Sequence, residues 1–335
     1  MRVFPNGIGF SIFLGMSILA AWGSPDFAEI CGAWRGGILK DIAVIIIFFI
    51  QGYKIKPDWL GEVWRRPGNT IRTQLGIWIC PAAVVFTCQA LGLLLPAWFS
   101  SFILLACLPT TIASCVVYSE KAGGDSNFAL VQATLSNLVA PAFIFLAWVC
   151  LQGRNSGLSW ETFLDLTVST VPSLFCLTAL PLLFGWRVAQ RARYLDGTPW
   201  GNWISQKGPL ISIAWLAYLA MGQVFSEVEP ITCLELSREL VPPLTIGWLG
   251  LAVFAWLWSY GGEMSQASRL AVFFCVSQKS LATGLPMIQI LVGAESQALV
   301  YWVFPLIIFH FIQLLLGIPV LSLLRKIGMA RSFSL

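Results

Sequence analysis

A lysine stands inside an otherwise apolar segment, in the tetrapeptide Ser277–Gln278–Lys279–Ser280 of the run RLAVFFCVSQKSLATGLPMIQILVG (269–293). A charge at the centre of a bilayer costs about 2.5–3.5 kcal/mol even on the most lenient insertion scale, so it persists only where water, a partner or a ligand meets it. Lys279 is therefore interpreted as a cavity residue that could act as a fixed cation, a proton carrier or an anion-binding group. The alternative is a lysine that extends to the membrane interface and keeps its charge in water.

Further hydrogen-bonding side chains occur in neighbouring apolar segments. Pro109 interrupts the segment ILLACLPTTIASCVVYSEKAGG (103–124), and His310, the single histidine, stands one helical turn before Gln313. Each of these has a structural alternative, because hydroxyls often bond to their own helix and polar side chains hold membrane helices together. The candidate set for solute and ion binding comprises Thr110, Thr111, Ser114, Cys115, Gln132, Asn137, Ser277, Gln278, Lys279, Ser280, His310 and Gln313.

Patterns typical of catalytic or metal sites are missing from the sequence. One histidine excludes HExxH, and no GxSxG, GxGxxG or P-loop occurs. Nine cysteines are scattered singly without a CxxC pair, which favours packing over metal binding or disulfides. We expect no enzyme, no cofactor, no metal centre and no nucleic-acid partner; an intramembrane enzyme is an alternative without a catalytic set.

The elements that position these residues are predicted to be membrane helices. Hydrophobic residues make up 57% of the 335-residue chain and charged residues 11%, against about 25% charged in soluble domains. With about 20 apolar residues needed per crossing, the apolar runs predict an all-α integral membrane protein with the lipid bilayer as its surroundings. The ten predicted spans are 7–23, 37–53, 74–96, 99–120, 125–152, 160–186, 205–226, 240–260, 266–292 and 297–324.

The distribution of basic residues predicts the orientation of these spans. Lys and Arg favour short cytoplasmic loops, and ten spans with a cytoplasmic N-terminus place fifteen of the twenty on that side. Both termini are therefore predicted to be cytoplasmic, and the short loops favour a cell inner (plasma) membrane. Arg2 before the apolar run 8–22 also resembles a signal peptide, but we interpret the run as a first span. The cytoplasmic set is Arg2, Lys54, Lys56, Arg65, Arg66, Arg72, Lys121, Arg187, Arg191, Arg193, Lys207, Arg269, Arg325, Lys326 and Arg331.

Ten spans also divide into two sets of five. A duplicated unit with an odd number of helices inserts its second copy upside down, and such transporters bind their solute between discontinuous helices in matching positions. The first repeat is predicted to be 1–152 and the second, inverted repeat 153–335. Helices four and nine are each interrupted, helix four by Pro109 and helix nine by the Ser277–Ser280 cluster and Pro286. We expect these two broken helices to cross at the site.

Three stretches carry a resemblance to a known family. They are CLPTTIASCVVYSEKAGGDSNFALVQATLSNLVAP (107–141), FCVSQKSLATGLP (274–286) and FPLIIFHFIQLLLG (304–317). Together they resemble the bile acid:sodium symporter family, in particular its cotransporter-7-like (SBF-like) branch. The resemblance implies a core domain of helices three to five and eight to ten, and a panel domain of helices one, two, six and seven.

The same resemblance implies where two sodium ions would bind in the sodium-coupled members. Ser114 matches a ligand on helix four, but the asparagine that follows it in those members is Cys115 here. The helix-five hydroxyl positions fall on Ala129 and Ala133, and the acidic position of helix nine falls near Phe273. A sodium site would therefore lack most of its oxygen ligands, and the Lys279 ammonium could stand where a sodium ion stood.

These observations predict an alternating-access secondary transporter of a small organic anion, not dependent on sodium, and either uniporting or coupled to H⁺ through Lys279. One alternative is a membrane regulator or sensor that kept the fold and lost transport. Another is a sodium-coupled symporter whose ion site is rebuilt from other oxygens. Saturable solute flux that depends on Lys279 would distinguish a transporter from a regulator.

Overall fold

The computed structural model describes residues 6–33, 37–55, 59–156, 160–191, 198–227, 230–292 and 296–326. Within these ranges the regular structure is entirely helical. Four basic residues of the predicted cytoplasmic set lie outside these ranges: Arg2, Lys56, Arg193 and Arg331. The helices are α1 (Asn6–Gly23), α2 (Pro25–Ala33), α3 (Ile38–Tyr53), α4 (Trp59–Arg65), α5 (Pro67–Ala90), α6 (Phe99–Ala106), α7 (Ile112–Lys121), α8 (Ser126–Ser156), α9 (Trp160–Leu174), α10 (Leu180–Arg191), α11 (Pro199–Glu227), α12 (Pro230–Ser259), α13 (Gln266–Ser277), α14 (Leu281–Val292) and α15 (Ser296–Lys326), with a 3₁₀ turn at Pro96–Trp98 and a π-helical turn at Phe175–Ala179.

Seven helical segments of the described chain are long and apolar enough to cross a membrane. This number makes the chain a multi-pass membrane protein, and the prediction of an all-α membrane fold is confirmed at that level. The segments are Pro67–Ala90, Ser126–Leu151, Val171–Arg191, Lys207–Ser226, Thr232–Ser259, Gln266–Leu291 and Val300–Leu324.

The other three predicted spans are helical but do not meet that length. The apolar part of α1 is Ile12–Gly23, α3 has only 16 residues, and the apolar helix in the fourth predicted span ends at Ala106. The count of ten spans and the inverted repeat therefore remain predictions. The eighth predicted span, 240–260, begins too late, because α12 begins at Pro230 and includes Glu235 and Glu239. Proline suits the first turn of a helix, which explains this earlier start.

The chain forms two compact units. The first comprises Met1–Pro57, Pro141–Ser237 and Ala282–Phe304, and the second comprises Asp58–Ala140, Arg238–Leu281 and Pro305–Leu335. In the first unit α11 packs against α1, α2 and α3, and α3 packs closely along α10. Two glycines permit that approach: a Cβ atom on Gly52 would collide with the backbone of Leu182, and one on Gly185 with the backbone of Phe49. Small residues allow membrane helices to approach to backbone contact in this way.

The second unit is organised around α13, which packs against α5 and α7. Every residue of α13 from Leu270 to Ser277 is buried. Its N-terminus is capped by Ser265, whose hydroxyl accepts a hydrogen bond from the Ser268 N–H at 3.2 Å. Asp125 caps α8 in the same way, accepting from the Phe128 N–H at 2.9 Å, and its other carboxylate oxygen lies 3.3 Å from Arg66. These caps satisfy backbone N–H groups at the N-termini of α13 and α8.

We predict that Gly185→Ala destabilises the protein, because the added methyl group meets backbone that has no side chain to rotate away. Overpacking of this kind costs about 1–3 kcal/mol. Thermal unfolding in detergent checks the prediction, with Gly15→Ala in α1 as the matched control, since a Cβ atom there meets nothing within 4 Å. Equal midpoints for the two variants would contradict the close packing of α3 on α10.

Candidate functional site

Two helices of the second unit are interrupted, and the interruptions are hydrogen-bonded to each other. The chain leaves helical conformation at residues 107–111, between α6 and α7, and at 278–280, after α13. Gln278 has extended backbone (φ −110°, ψ 139°). The Ser280 N–H donates to the Pro109 carbonyl oxygen at 2.9 Å. The interruptions fall on the proline and the polar cluster that the sequence pointed to.

Lys279 lies at the centre of this region with its side chain 1% exposed. Its Nζ donates three hydrogen bonds, to the carbonyl oxygens of Ile77 (2.7 Å), Ala106 (2.9 Å) and Leu108 (2.8 Å). An ammonium group has three hydrogens, so all of them are used. The acceptors are backbone dipoles rather than a carboxylate, and the alternative of a lysine extended to the membrane interface is wrong.

The local sequence explains why these carbonyl oxygens can accept. Ile77 lies in α5, where its carbonyl would normally accept from the N–H four residues later. That residue is Pro81, which has no N–H. Ala106 is the last residue of α6 and Leu108 lies two residues further along the chain, so neither carbonyl oxygen accepts a hydrogen bond from an N–H of that helix. The C-terminal end of a helix also carries partial negative charge, which favours a cation.

Gln313 of α15 holds the peptide units on both sides of Lys279. Its side-chain oxygen accepts from the Lys279 N–H at 2.8 Å, and its Nε2 donates to the Lys279 carbonyl oxygen at 2.8 Å. The same Nε2 lies 2.8 Å from Nδ1 of His310. Because Nε2 has two hydrogens, the network assigns His310 Nδ1 as the acceptor, with the ring proton on Nε2. His310 therefore orients Gln313, and Gln313 orients Lys279.

Side chains of the neighbouring helices α7 and α8 also bond to the interruptions. The Ser114 hydroxyl donates to the Gln278 side-chain oxygen at 3.1 Å, and Asn137 of α8 donates to the Thr110 carbonyl oxygen at 2.8 Å. Of the buried side-chain polar atoms without a hydrogen-bond partner among the described residues, three lie at or beside the interruptions: Thr110 Oγ1, Ser277 Oγ and Gln278 Nε2. Buried polar atoms without partners cost free energy, which is why such a group suggests a missing ligand or water.

The remaining candidates are buried but make other contacts. Thr111 precedes α7 and makes no side-chain hydrogen bond to that helix, and the Cys115 thiol lies 4.0 Å from the Ile112 carbonyl oxygen. Gln132 of α8 bonds to Gln74 and Thr70 of α5 at 2.9 and 3.1 Å. Those bonds are the ones expected of a polar bridge between two helices.

The positions that the family resemblance associates with sodium contribute no side-chain oxygen apart from Ser114. The carbonyl of Ala129 accepts from the Cys275 thiol at 3.7 Å, and that of Ala133 accepts from Ser136 and Asn137. Phe273 packs on the ring of Phe274, with centroids 5.0 Å apart. In the described part of the chain no group of three or more His, Cys, Asp or Glu residues could hold a metal ion.

An apolar cavity of the second unit adjoins Lys279. Its empty volume is about 390 Å³, which includes its opening, and its lining is almost wholly hydrocarbon. Lys279 is the single charged residue of that lining, so the cavity combines a buried positive charge with apolar space. Other lining residues are Val84, Phe102, Leu105, Leu251 and Phe309.

The residues that sequence reasoning missed are those that act through their backbone. Pro81 is one of eighteen prolines in the sequence, and nothing in the side chains of Ile77, Ala106 and Leu108 distinguishes them from other apolar residues. The available signal was the spacing itself, since a proline exposes the carbonyl four residues before it. Many membrane helices contain proline, so that signal identifies a possible acceptor without naming its donor.

Comparison with known proteins shows the family to which the chain is similar. Residues 9–326 match the profile of the SBF-like CPA transporter family. The chain is 25% identical over 328 residues to sodium/bile acid cotransporter 7-B of Xenopus laevis, covering 92% of this chain and 89% of that protein. It is 26% identical over 314 residues to YfeH of Escherichia coli strain K12 (83% and 81%) and 23% identical over 326 residues to sodium/bile acid cotransporter 7 of Mus musculus (90% and 89%).

We predict that Gln313→Leu destabilises the protein by about 2–4 kcal/mol, because the N–H and C=O of Lys279 then lose their partners inside the protein. Thermal unfolding in detergent measures the effect. Gln89→Leu is the matched control, since the side-chain oxygen of Gln89 accepts no hydrogen bond within the described chain. A Gln313→Leu midpoint no lower than that of Gln89→Leu would show that the Lys279 peptide does not depend on Gln313.

Proposed function

Because this chain belongs to the SBF-like CPA transporter family, we propose that it is an alternating-access secondary transporter of a small organic anion that works without sodium. The observation that carries this proposal is the Lys279 ammonium, bound by three backbone carbonyl oxygens at 2.7–2.9 Å between the two interrupted helices. The lysine supplies, as part of the chain, the positive charge that a bound cation would supply. Related proteins named sodium/bile acid cotransporters make sodium the first alternative to test.

The side chains at the family's sodium positions support independence from sodium. A hard cation takes several oxygen ligands, yet the residues there are Cys115, Ala129, Ala133 and Phe273. The carbonyls of Ala129 and Ala133 are already hydrogen-bonded within the protein. A sodium ion would find few oxygens at these positions and would meet the positive charge of Lys279 in the same unit.

The donors around the interruptions support an anion as the solute. The N-terminus of α7 has no side-chain cap, so its first N–H groups point into the interruption. Helix N-termini favour anions, and the buried Gln278 Nε2 adds a donor without a partner among the described residues. The apolar cavity beside Lys279 supports an organic anion over an inorganic one, because the transfer of hydrocarbon from water into an apolar cavity is favourable.

We further propose coupling to H⁺, which the same geometry supports. A neutral amine has two hydrogens and a lone pair, so it satisfies two of the three carbonyl oxygens and repels the third. Loss of a proton from Lys279 would therefore loosen the contact among α5, the end of α6 and the interruption after α13. A change in that contact could link the protonation of Lys279 to the access of the solute to its site.

We also propose the arrangement that the sequence predicts around this site: ten spans in two inverted repeats (1–152 and 153–335), a core and a panel domain, and both termini cytoplasmic in the cell inner membrane. Thr110, Ser114, Asn137, Ser277, Gln278 and Ser280 surround the solute in this proposal, with His310 and Gln313 orienting Lys279. Gln132 and Thr111 are assigned supporting roles, as a helix bridge and as the first residue before α7.

The test is uptake into proteoliposomes, with butyrate, glutarate and cholate as labelled probes. We expect saturable uptake of at least one probe, unchanged when choline replaces sodium, and lost on Lys279→Ala. Gln89→Leu in α5, a change of a residue outside the candidate set whose side-chain oxygen accepts no hydrogen bond within the described chain, serves as the control and is expected to keep the uptake.

Several outcomes would overturn parts of the proposal. Uptake that requires sodium would establish a rebuilt ion site, and uptake untouched by Lys279→Ala would remove Lys279 from the mechanism. The absence of uptake for any probe by folded protein would favour the regulator or sensor. Lys279→Arg tests the proton, since arginine keeps the charge and does not release its proton; uptake that stays responsive to a pH gradient in this variant would exclude Lys279 as the proton carrier.

A further inference from the structure

Three backbone carbonyl oxygens of the second unit converge on one point. They belong to Ile77 in α5 and to Ala106 and Leu108 at the end of α6, and each lies 2.7–2.9 Å from the same nitrogen. Their convergence is a property of the backbone, because Pro81 leaves the Ile77 carbonyl without its helical donor and the end of α6 leaves the other two. We call these three oxygens the carbonyl triad.

We propose that the carbonyl triad is a binding site for a monovalent cation of the size of ammonium, which Lys279 occupies from within the chain. Free ammonium, a primary alkylammonium ion or potassium enters the site when the Lys279 amine is absent. The inference rests on the proposed function in treating Lys279 as an internal cation, but its test needs no transported solute.

The distances select the class of cation. Oxygens at 2.7–2.9 Å suit ammonium and potassium, which have nearly the same ionic radius, whereas sodium draws its oxygens closer. Magnesium and calcium bind oxygens at about 2.0–2.1 and 2.3–2.6 Å and use carboxylates, and the carbonyl triad has no carboxylate. Rings of backbone carbonyls are the ligands by which potassium channels replace the hydration shell of potassium.

An aromatic face adds to this preference. The Lys279 nitrogen lies 5.6 Å from the centroid of the Trp78 ring. The electron-rich face of tryptophan attracts cations, ammonium groups among them, within about 6 Å of the ring centroid. A cation held by the carbonyl triad would therefore be attracted by Trp78 as the lysine nitrogen is.

The carbonyl triad is separate from the positions that the family resemblance associates with sodium. Those positions fall on Ser114, Cys115, Ala129, Ala133 and Phe273, and none of them donates an oxygen to the Lys279 nitrogen. The preferred ion also differs, since the carbonyl triad favours potassium and ammonium over sodium.

Thermal unfolding of purified Lys279→Ala in detergent tests the proposal, in about 150 mM of the chloride of choline, sodium, potassium, ammonium or ethylammonium. A ligand that binds only the folded state raises its stability. We expect the unfolding midpoint of the variant to rise by about 2–4 °C in potassium, ammonium and ethylammonium relative to choline, and less in sodium. The wild-type midpoint is expected not to distinguish these salts, because the site is filled.

Two variants control for general salt effects. Arg72→Ala removes a cation whose guanidinium donates to the single carbonyl oxygen of Trp258, so it leaves one acceptor and no site. Its midpoint is expected to be the same in potassium and in choline. Adding Pro81→Ala to Lys279→Ala supplies an N–H that competes for the Ile77 carbonyl, and the response to potassium is expected to fall.

The outcomes separate clearly. Equal midpoints of Lys279→Ala in all five salts would overturn the proposal, as would an equal rise in the wild type.

Lys279→Met is the second variant, since it keeps much of the apolar volume without the charge. Purification of either variant in potassium or ethylammonium but not in choline supports the site, and failure of both in every salt overturns it. A cation response without solute uptake would contradict the proposed transport and leave the site standing.

Discussion

An ammonium group inside a membrane needs an acceptor for each of its three hydrogens, and Lys279 finds them in the carbonyls of Ile77, Ala106 and Leu108. A charge left without such partners in this environment would cost several kcal/mol. The oxygens are available because a proline and a helix end deprive them of their usual donors. The helix irregularities and the lysine therefore depend on each other. The lysine stabilises the irregularities, and the irregularities supply the carbonyl oxygens that allow the lysine to be buried.

The rest of the second unit keeps this contact in place. Gln313 binds both peptide groups of Lys279, and His310 accepts from Gln313. Ser280 joins its interruption to Pro109 of the other, and the Ser114–Gln278 bond joins α7 to the interruption after α13. Because each bond shares a residue or an interruption with the next, a change at Lys279 reaches both interrupted helices. Such coupling is what a protein needs if the state of one charged group is to alter access to a site between its broken helices.

Much of this site could be predicted from the sequence, because its main elements break a local rule. A charge in an apolar run, a proline in mid-helix and a polar cluster point to Lys279, Pro109 and Ser277–Ser280 without any structure. The acceptors could not be predicted, because every residue has a backbone carbonyl and the sequence does not show which of them will accept from Lys279. Only the fold brings Ile77 to Lys279. Gln313 was selected for its place beside His310, whereas its bonds to the Lys279 peptide needed coordinates. The membrane fold could be predicted from composition. The count of ten spans depended on short helices such as α3 and α6, for which the length of the apolar run does not show whether the helix crosses the membrane.

The central claim is that Lys279 supplies, as part of the chain, the positive charge that a bound cation would supply, so that the protein works without sodium. The most direct measurement is the unfolding midpoint of the wild-type protein in detergent at neutral pH, in sodium chloride and in choline chloride at equal ionic strength. If Lys279 supplies the cation, the two midpoints will agree over the whole range of salt concentration, because sodium has no site to fill. A sodium-specific, saturable rise in the wild type would contradict the claim and would mean that other oxygens of this chain bind sodium.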